Sequence, residues 1–278
     1  MGYKIINKEI LNETVIKMDI EAIDVARHAK AGQFIILRID EKGERIPLTI
    51  ADANPNNGLV TIIFQIVGLT TLKLSKLNQN DEILDFVGPL GKATKTENVK
   101  KALVIGGGVG VAIAYPICKQ INNENHQVDA ILGFRNKELV ILEKEFRNNC
   151  QNVYIYSDDG SYQNKGFVTT DLDKIIQENQ YDEVFCIGPL VMMKNVCNIT
   201  KKYNLKTTVS MNPIMIDGTG MCGGCKLYID NKVKFACIDG PDFDGFKVDF
   251  DSLILRNKIY HEREIESCNL YKEANKHE

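Results

Sequence analysis

Near residue 99 the chain changes its grammar, and that change limits the fold more than any other feature. Before it, short runs rich in branched residues follow one another: TVIKMDI, QFIILRI, IPLTIA, LVTIIFQIV and DEILDFV. Bounded by Gly, Asn, Asp and Pro, such runs read as strands. Many short strands with few helical stretches point to an antiparallel barrel. One stretch differs: in GLTTLKLSKL, Thr70 or Thr71 is placed to cap a short helix carrying Leu72, Leu74 and Leu77. After residue 99, KALVIGGGVGVAIAYPICKQI reads as strand, glycine turn and helix. The strands QVDAILGFRN, NVYIYSDDG and YDEVFCIGPL then alternate with the helical segments VTTDLDKIIQEN and LVMMKNVCNITKKY. That alternation marks a parallel sheet with crossover helices. From about residue 209 the chain is loop-rich, and it ends in the charged stretch HEREIESCNLYKEANKHE, read as a helix or a partner-docking arm. The expected architecture is multi-domain: an antiparallel β-barrel over 1–98, an α/β nucleotide domain over 99–208, and a small cysteine-bearing domain with the tail over 209–278. A chain of 278 residues can bury two or three such cores.

The loop-rich part holds MIDGTGMCGGC, residues 215 to 225, and Cys237 follows in KFACIDG. Read with its acidic residue, the spacing is Asp217, four residues, Cys222, two residues, Cys225, eleven residues, Cys237. This is the spacing of plant-type [2Fe–2S] ferredoxins with aspartate in the first position. Gly218, Gly220, Gly223 and Gly224 remove side chains that would obstruct backbone N–H groups pointing at cluster sulfides. A carboxylate is an anionic oxygen donor, so Asp217 can be the fourth ligand beside Cys222, Cys225 and Cys237. A tetrahedral zinc site is the competing reading, but it needs no four-glycine loop. Should Asp217 be only a turn former, the fourth ligand is unidentified. Of the eight cysteines, Cys118, Cys150, Cys186, Cys197 and Cys268 stand alone and are expected as small buried hydrophobes.

The net charge of −3 and a pI near 5.9 give no electrostatic footprint for nucleic acid or an anionic membrane. No apolar run approaches the roughly 18 to 20 residues that span a bilayer. The N-terminal residues lack a signal peptide's apolar core, and unpaired cysteines fit a reducing compartment, so a cytoplasmic location is expected. The four histidines occur in no motif, and no acid–base pair is expected.

Two stretches can hold nucleotides. LVIGGGVG precedes a helix, so Gly106, Gly107, Gly108 and Gly110 can bring backbone donors and a helix N-terminus to a pyrophosphate. The third fingerprint position is Val111, with Gly110 one place early, and the next strand ends in Arg135 instead of an acidic residue. CIGPL places a second turn, Gly188 and Pro189, at the same edge of the sheet. In the barrel, Gly68, Thr70 and Thr71 before a short helix suit a diphosphate, and Thr49 can offer its hydroxyl to a flavin edge. An ordinary strand followed by a capped helix is the alternative reading there.

Together DGTGMCGGC, KFACIDGPDFDG and RIPLTIAD resemble the ferredoxin–NADP reductase superfamily over essentially the whole chain. They are most similar to the small (alpha) subunits of NADH-dependent reduced ferredoxin:NADP oxidoreductases, the electron-bifurcating transhydrogenases, and to the beta subunit of archaeal sulfide dehydrogenase. The electron-transfer subunits of dihydroorotate dehydrogenase also look similar, with four cysteines where this chain has Asp217 and three. The resemblance implies FAD, with Thr49 beside the reacting ring in the catalytic role and Pro47 and Leu48 near it. Aligned on Thr49, Ile46 takes the place of the family's phosphate-binding arginine, and Arg45 stands one residue off. Gln65, Ile66 and Val67 would run along the flavin or its ribityl chain, with Gly68, Thr70 and Thr71 at the diphosphate. Gly106 to Gly108 and Gly110 would hold NAD(H), with NADP(H) open because of Arg135, and Gly188 and Pro189 would lie near its reactive end. The implied activity is relay of electrons between NAD(H), FAD and a [2Fe–2S] cluster. The implied partner is a larger subunit carrying FAD and [4Fe–4S] clusters, in a heterodimer that reaches ferredoxin through that subunit. A dihydroorotate or sulfide dehydrogenase partner, or a nucleotide-sensing scaffold with a structural cluster, are the alternatives.

Overall fold

The computed structural model describes residues 2–274; the last four residues of the charged tail lie outside the described residues. Seven strands build the first sheet: β1 (Tyr3–Ile10), β2 (Val15–Glu21), β3 (Phe34–Arg38), β4 (Ile46–Asn54), β5 (Leu59–Gln65), β6 (Glu82–Ile83) and β7 (Asp85–Leu90). Their spatial order is β6-β1-β2-β5-β4-β3-β7. β6 and β7 are halves of one extended segment. The first half pairs with β1, Ile83 opposite Tyr3, and the second with β3, Phe86 opposite Leu37. One segment therefore joins both edges of the sheet and nearly closes the expected antiparallel barrel. Ile5, Met18, Ile20, Ile35, Leu37, Ile62, Phe64 and Phe86 fill it. Two short helices, α1 (Ile23–His28) and α2 (Leu69–Lys76), flank the barrel.

The alternation along β3 carries the rest of the architecture. Ile35 and Leu37 point into the barrel, whereas Phe34 and Ile36 point out of it and are still buried, at 3% and 2% exposure. A strand buried on both faces reads as the continuous apolar run FIILR. What covers its outer face is the remainder of the chain.

The second sheet contains β8 (Lys101–Gly107), β9 (Gln127–Phe134), β10 (Val153–Ser157), β11 (Asn164–Lys165), β12 (Glu183–Ile187) and β13 (Thr207–Ser210), all parallel. The helices α3 (Gly110–Asn123), α4 (Glu143–Asn149), α5 (Leu172–Glu178) and α6 (Leu190–Thr200) connect them. The cysteine-bearing part contributes a hairpin, β14 (Lys226–Ile229) with β15 (Lys232–Phe235), then α7 (Ala236–Asp239) and β16 (Asp242–Asp244). β16 pairs antiparallel with β13, Asp244 opposite Thr208, which completes the order β11-β10-β9-β8-β12-β13-β16. Two helices follow, α8 (Phe250–Asn257) and α9 (His261–Ala274). No helix of the described residues is long and apolar enough to cross a membrane.

Asp242, at the start of β16, ties these parts together. The Thr94 hydroxyl donates to its carboxylate at 2.5 Å, and the Lys92 N–H donates to the nearby Gly240 carbonyl at 2.7 Å. Burial pushes the Asp242 carboxyl up from 3.8 to about 6, with the hydroxyls of Thr94 and Ser210 opposing the shift and the charge of Glu183 adding to it. A pKa raised by folding means that the native state holds the proton more tightly. The associated stability is complete below the unfolded pKa and is lost as pH rises through about 6. A shift of this size is worth on the order of 3 kcal/mol. Asp242→Asn, which keeps an acceptor for Thr94, is expected to melt above the wild type at pH 7.5, with the difference shrinking as pH falls toward 5. A pH-independent difference in thermal melts would contradict this account.

Candidate functional site

The N-terminus of α2 forms an open cradle. Gly68 is its cap residue, with an extended backbone (φ −148°), and a Cβ built there would meet nothing within 4 Å. Neither the backbone angle nor the packing of the protein demands glycine, so the space above it is suited to a ligand. The expectation that Thr70 or Thr71 caps the helix is corrected. Thr71 lies one turn inside, and its hydroxyl accepts from the Val67 and Gly68 N–H groups, both at 3.0 Å, while donating to the Gly68 carbonyl. With that hydroxyl engaged, the donors left for an anion are the first-turn amides of residues 69 to 71, which have no intrahelical acceptor. The Thr70 hydroxyl donates to the Glu44 carboxylate at 3.3 Å, so the turn before β4 reaches the cradle and brings the exposed Arg45 with it. β4 starts at Ile46, so strand alternation does not decide where Arg45 points. Gln65 closes β5, and Ile66 and the exposed Val67 lead from it into the cradle.

Thr49 and Pro47 stand opposite Phe34 and Ile36 across the β3–β4 ladder, so they share the outer face of the barrel. Leu48 stands opposite Ile35 and packs toward the barrel core. The flavin motif positions are thus split between the two faces.

The glycine turns after β8 and β12 meet where the strand order reverses. A Cβ on Gly110 would lie 2.7 Å from the Ile187 carbonyl, and one on Gly188 would lie 3.2 Å from the Gly107 nitrogen. A Cβ on Gly107 would strike the Met192 sulfur at 2.4 Å, and one on Gly106 would meet the Val111 backbone at 3.0 Å. These four glycines let α3 and the Gly188–Pro189 turn pack together. Gly110 does this work one place earlier than the fingerprint's third glycine. Gly108 differs: its φ of +55° favours glycine, and no atom lies within 4 Å of its Cβ position. The open space lies above Gly108, at the crevice where doubly wound sheets hold dinucleotides.

The third part is the cysteine loop. Gly218, Gly220 and Gly223 adopt positive φ, which explains the glycine-rich composition. The Asp217 carboxylate accepts from the Thr219 N–H at 2.7 Å and the Cys222 N–H at 2.8 Å, and these amides hold its carboxyl below the usual range. The Cys225 and Cys237 sulfurs lie 3.2 Å apart. Backbone N–H groups aim at sulfur, Gly224 at Cys222 (3.3 Å) and Cys237 at Cys225 (3.4 Å). The donors come as two adjacent pairs, Asp217 with Cys222 and Cys225 with Cys237. Among the described residues no three His, Cys, Asp or Glu side chains converge on a single-ion site. Of the other cysteines, Cys118, Cys186 and Cys197 are buried, as expected of small hydrophobes, whereas Cys150 and Cys268 are half-buried.

The loop rests on the barrel. A Cβ on Gly218 would lie 2.7 Å from Ile36 and 2.8 Å from Leu90, so only glycine allows this approach. Asp217 is therefore one residue from the barrel face that also carries Pro47 and Thr49. Phe34 packs in the same core as Cys225, Cys237, Leu103 and Ile105.

Residues 212–249 match the iron-sulfur cluster binding domain of dihydroorotate dehydrogenase B. A Thermotoga maritima homolog of the electron transfer subunit of dihydroorotate dehydrogenase B (NAD(+)) is 42% identical over 261 residues, covering 94% of this chain and 92% of that one. The chain belongs to this electron-transfer-subunit family. Another electron-transfer subunit, that of Fusobacterium nucleatum dihydroorotate dehydrogenase B, is 32% identical over 88% of this chain and 96% of its own. A chain in the solved structure of an NADH-dependent reduced ferredoxin-NADP oxidoreductase, studied for flavin-based electron bifurcation, superposes with a TM-score of 0.93. It is 39% identical, with 98% of each chain covered. An electron-transfer subunit of this family is an oxidoreductase component, and FAD, NAD(H) and an iron–sulfur cluster, the cofactors expected from the sequence, agree with its fold and domain match.

Proposed function

We propose that this chain relays electrons between NAD(H) and the larger subunit of a heteromeric oxidoreductase of the bifurcating type. The chemistry that bound FAD would supply is two-electron exchange with NAD(H) and one-electron exchange with a [2Fe–2S] cluster. The chain's own residues place these groups. The first-turn amides of α2, with Arg45 beside them, hold the FAD diphosphate, and Gly68 leaves room for it. Thr49 presents its hydroxyl at the flavin edge on the outer barrel face, with Pro47 beside it, while Leu48 supports that strand from within. Gly108 and the N-terminus of α3 receive the dinucleotide, and the Gly188–Pro189 turn closes the crevice near its reactive end. Asp217, Cys222, Cys225 and Cys237 would hold the cluster, and their arrangement as two adjacent pairs, Asp217 with Cys222 and Cys225 with Cys237, suits a centre of two irons.

The observation that carries the reading is the contact of Gly218 with Ile36 and Leu90, because it seats the ligand loop on the face that bears Thr49. Anaerobic NADH is expected to bleach the flavin and raise a cluster EPR signal in the same purified chain. Bleaching with no cluster signal would sink the relay. The larger partner is proposed to carry FAD and [4Fe–4S] clusters and to pass electrons to or from ferredoxin. Co-purification from the native host, with the second chain identified, separates this from a dihydroorotate-oxidising partner.

NADH is the proposed nucleotide in preference to NADPH. Arg135, after β9, lies beside Asp158, whose carboxyl is raised by burial and pulled back by the Arg135 charge, and Asp159 adjoins the same turn. Two carboxylates at that arginine repel a 2′-phosphate and accept hydrogen bonds from ribose hydroxyls. Stopped-flow flavin reduction is expected to be faster with NADH. Asp158→Ser is expected to narrow the preference about tenfold, equivalent to roughly 1.4 kcal/mol. Faster reduction of the wild type by NADPH would overturn the assignment.

A further inference from the structure

Resting on the cluster reading above, we infer that Arg256 of α8 is a positioning residue for the iron–sulfur centre, one that orients the peptide before Cys225 and raises the centre's reduction potential. Its Nη2 donates to the Gly224 carbonyl at 3.2 Å. Gly224 sits between the ligands Cys222 and Cys225, and its own N–H already donates to the Cys222 sulfur. The bond from α8 therefore fixes the second face of a residue that has no side chain to hold it.

Its consequence follows from peptide geometry. The bond between Gly224 and Cys225 is trans, since the cis bonds are at Gly88–Pro89 and Gly240–Pro241. In a trans peptide the carbonyl and the N–H point in opposite directions. A Gly224 carbonyl drawn to Arg256 thus turns the Cys225 N–H away from α8. Cys225 is 2% exposed, and its N–H has no protein acceptor among the described hydrogen bonds. A buried amide without an acceptor is costly, and a bridging or thiolate sulfur is the acceptor that this site supplies. Arg256 also forms no ion pair among the described residues, so none of their carboxylates offsets its charge at close range. Reduction adds an electron to the cluster. An aimed N–H dipole and a nearby cation both stabilise the added negative charge, so both shift the potential upward.

The test is an EPR-monitored redox titration of the full FAD-loaded chain as wild type, Arg256→Gln and Arg256→Lys, with iron and FAD counted per chain. Arg256→Gln is expected to shift the cluster potential to more negative values and alter its g-values, with the flavin potential and FAD content unchanged. Arg256→Lys, which keeps the cation, is expected to fall between Arg256→Gln and the wild type. An intact cluster in Arg256→Gln at the wild-type potential overturns the inference. Should Arg256→Gln fail to hold iron, Arg256→Lys must hold it and show a lowered potential, and a wild-type potential in that variant overturns the inference equally. A wild-type chain that shows no cluster signal after reconstitution with iron and sulfide overturns the cluster reading itself, and this inference with it.

Discussion

Purified Gly68→Val protein is expected to lack FAD and to be otherwise well folded. The extended backbone at Gly68 is one that valine adopts without strain, and its side chain would enter space that no protein atom occupies within 4 Å. Gly68→Val should therefore melt close to the FAD-stripped wild type, within the roughly 0.5 kcal/mol typical of substitutions that touch nothing. What the added carbons do occupy is the approach to the α2 amides, so the loss falls on FAD. Thr71→Ala acts through a different link. It releases the Val67 and Gly68 N–H groups from their acceptor, costing on the order of 1 kcal/mol of helix stability, and FAD binding should weaken without vanishing. FAD released from the denatured protein and counted per chain by its fluorescence reads both. A full complement of yellow FAD in Gly68→Val would remove the diphosphate from this helix.

Cys225→Ala or Cys237→Ala is expected to abolish the cluster, whereas Asp217→Cys should keep it with altered g-values. The two cysteines form the buried pair, 3.2 Å apart, and losing either sulfur leaves one iron with a single protein donor. Burial, and then the neighbouring Cys225 thiol, push the Cys237 thiol up, so iron must displace a proton there. That is a further reason why a weaker site would not load. Asp217 sits at the exposed end, where its carboxylate is already anionic and held by two amides. Asp217→Ala is expected to give a labile cluster that loses iron to a chelator faster than the wild type. An Asp217→Ala protein with unchanged EPR spectrum and iron retention would place the fourth ligand elsewhere.

Most of the strands and the cysteine loop were legible in the chain because each carries a local signature. Branched runs between turn formers became β2 to β7, and the ferredoxin-like spacing became two adjacent donor pairs. What escaped depends on partners distant in sequence. In β1, YKIINKEI, the outward Lys, Asn and Glu dilute the apolar content, and only pairing with β2 and β6 makes it a strand. The helix EKEFRNN buries Phe146 alone, too little for a readable stripe. A threonine that reaches back to an earlier amide looks, in sequence, the same as one that caps forward, so the role of Thr71 is set only by the folded turn. Gly110 departed from the fingerprint because its neighbour is the Ile187 carbonyl on another strand. Arg256 lies 32 residues from the carbonyl it holds, and no motif marks it. Asp158 was visible in SDDG, but its bearing on Arg135 required the two strand ends to be side by side.

The pairing of β16 with β13 has a bearing on how the protein is made. Until residue 244 has left the ribosome, β13 offers an unpaired row of N–H and C=O groups, the kind of edge that recruits other chains. The segment that covers it begins three residues after α7, which carries Cys237. Assembly of the metal-binding loop and protection of the sheet edge thus fall to the same few residues late in synthesis. Chains starved of iron or sulfide are expected to show faster proteolysis and aggregation, since the edge strand then lacks a firmly anchored neighbour. Cofactor supply would in this way set the amount of the subunit that survives, as well as its activity.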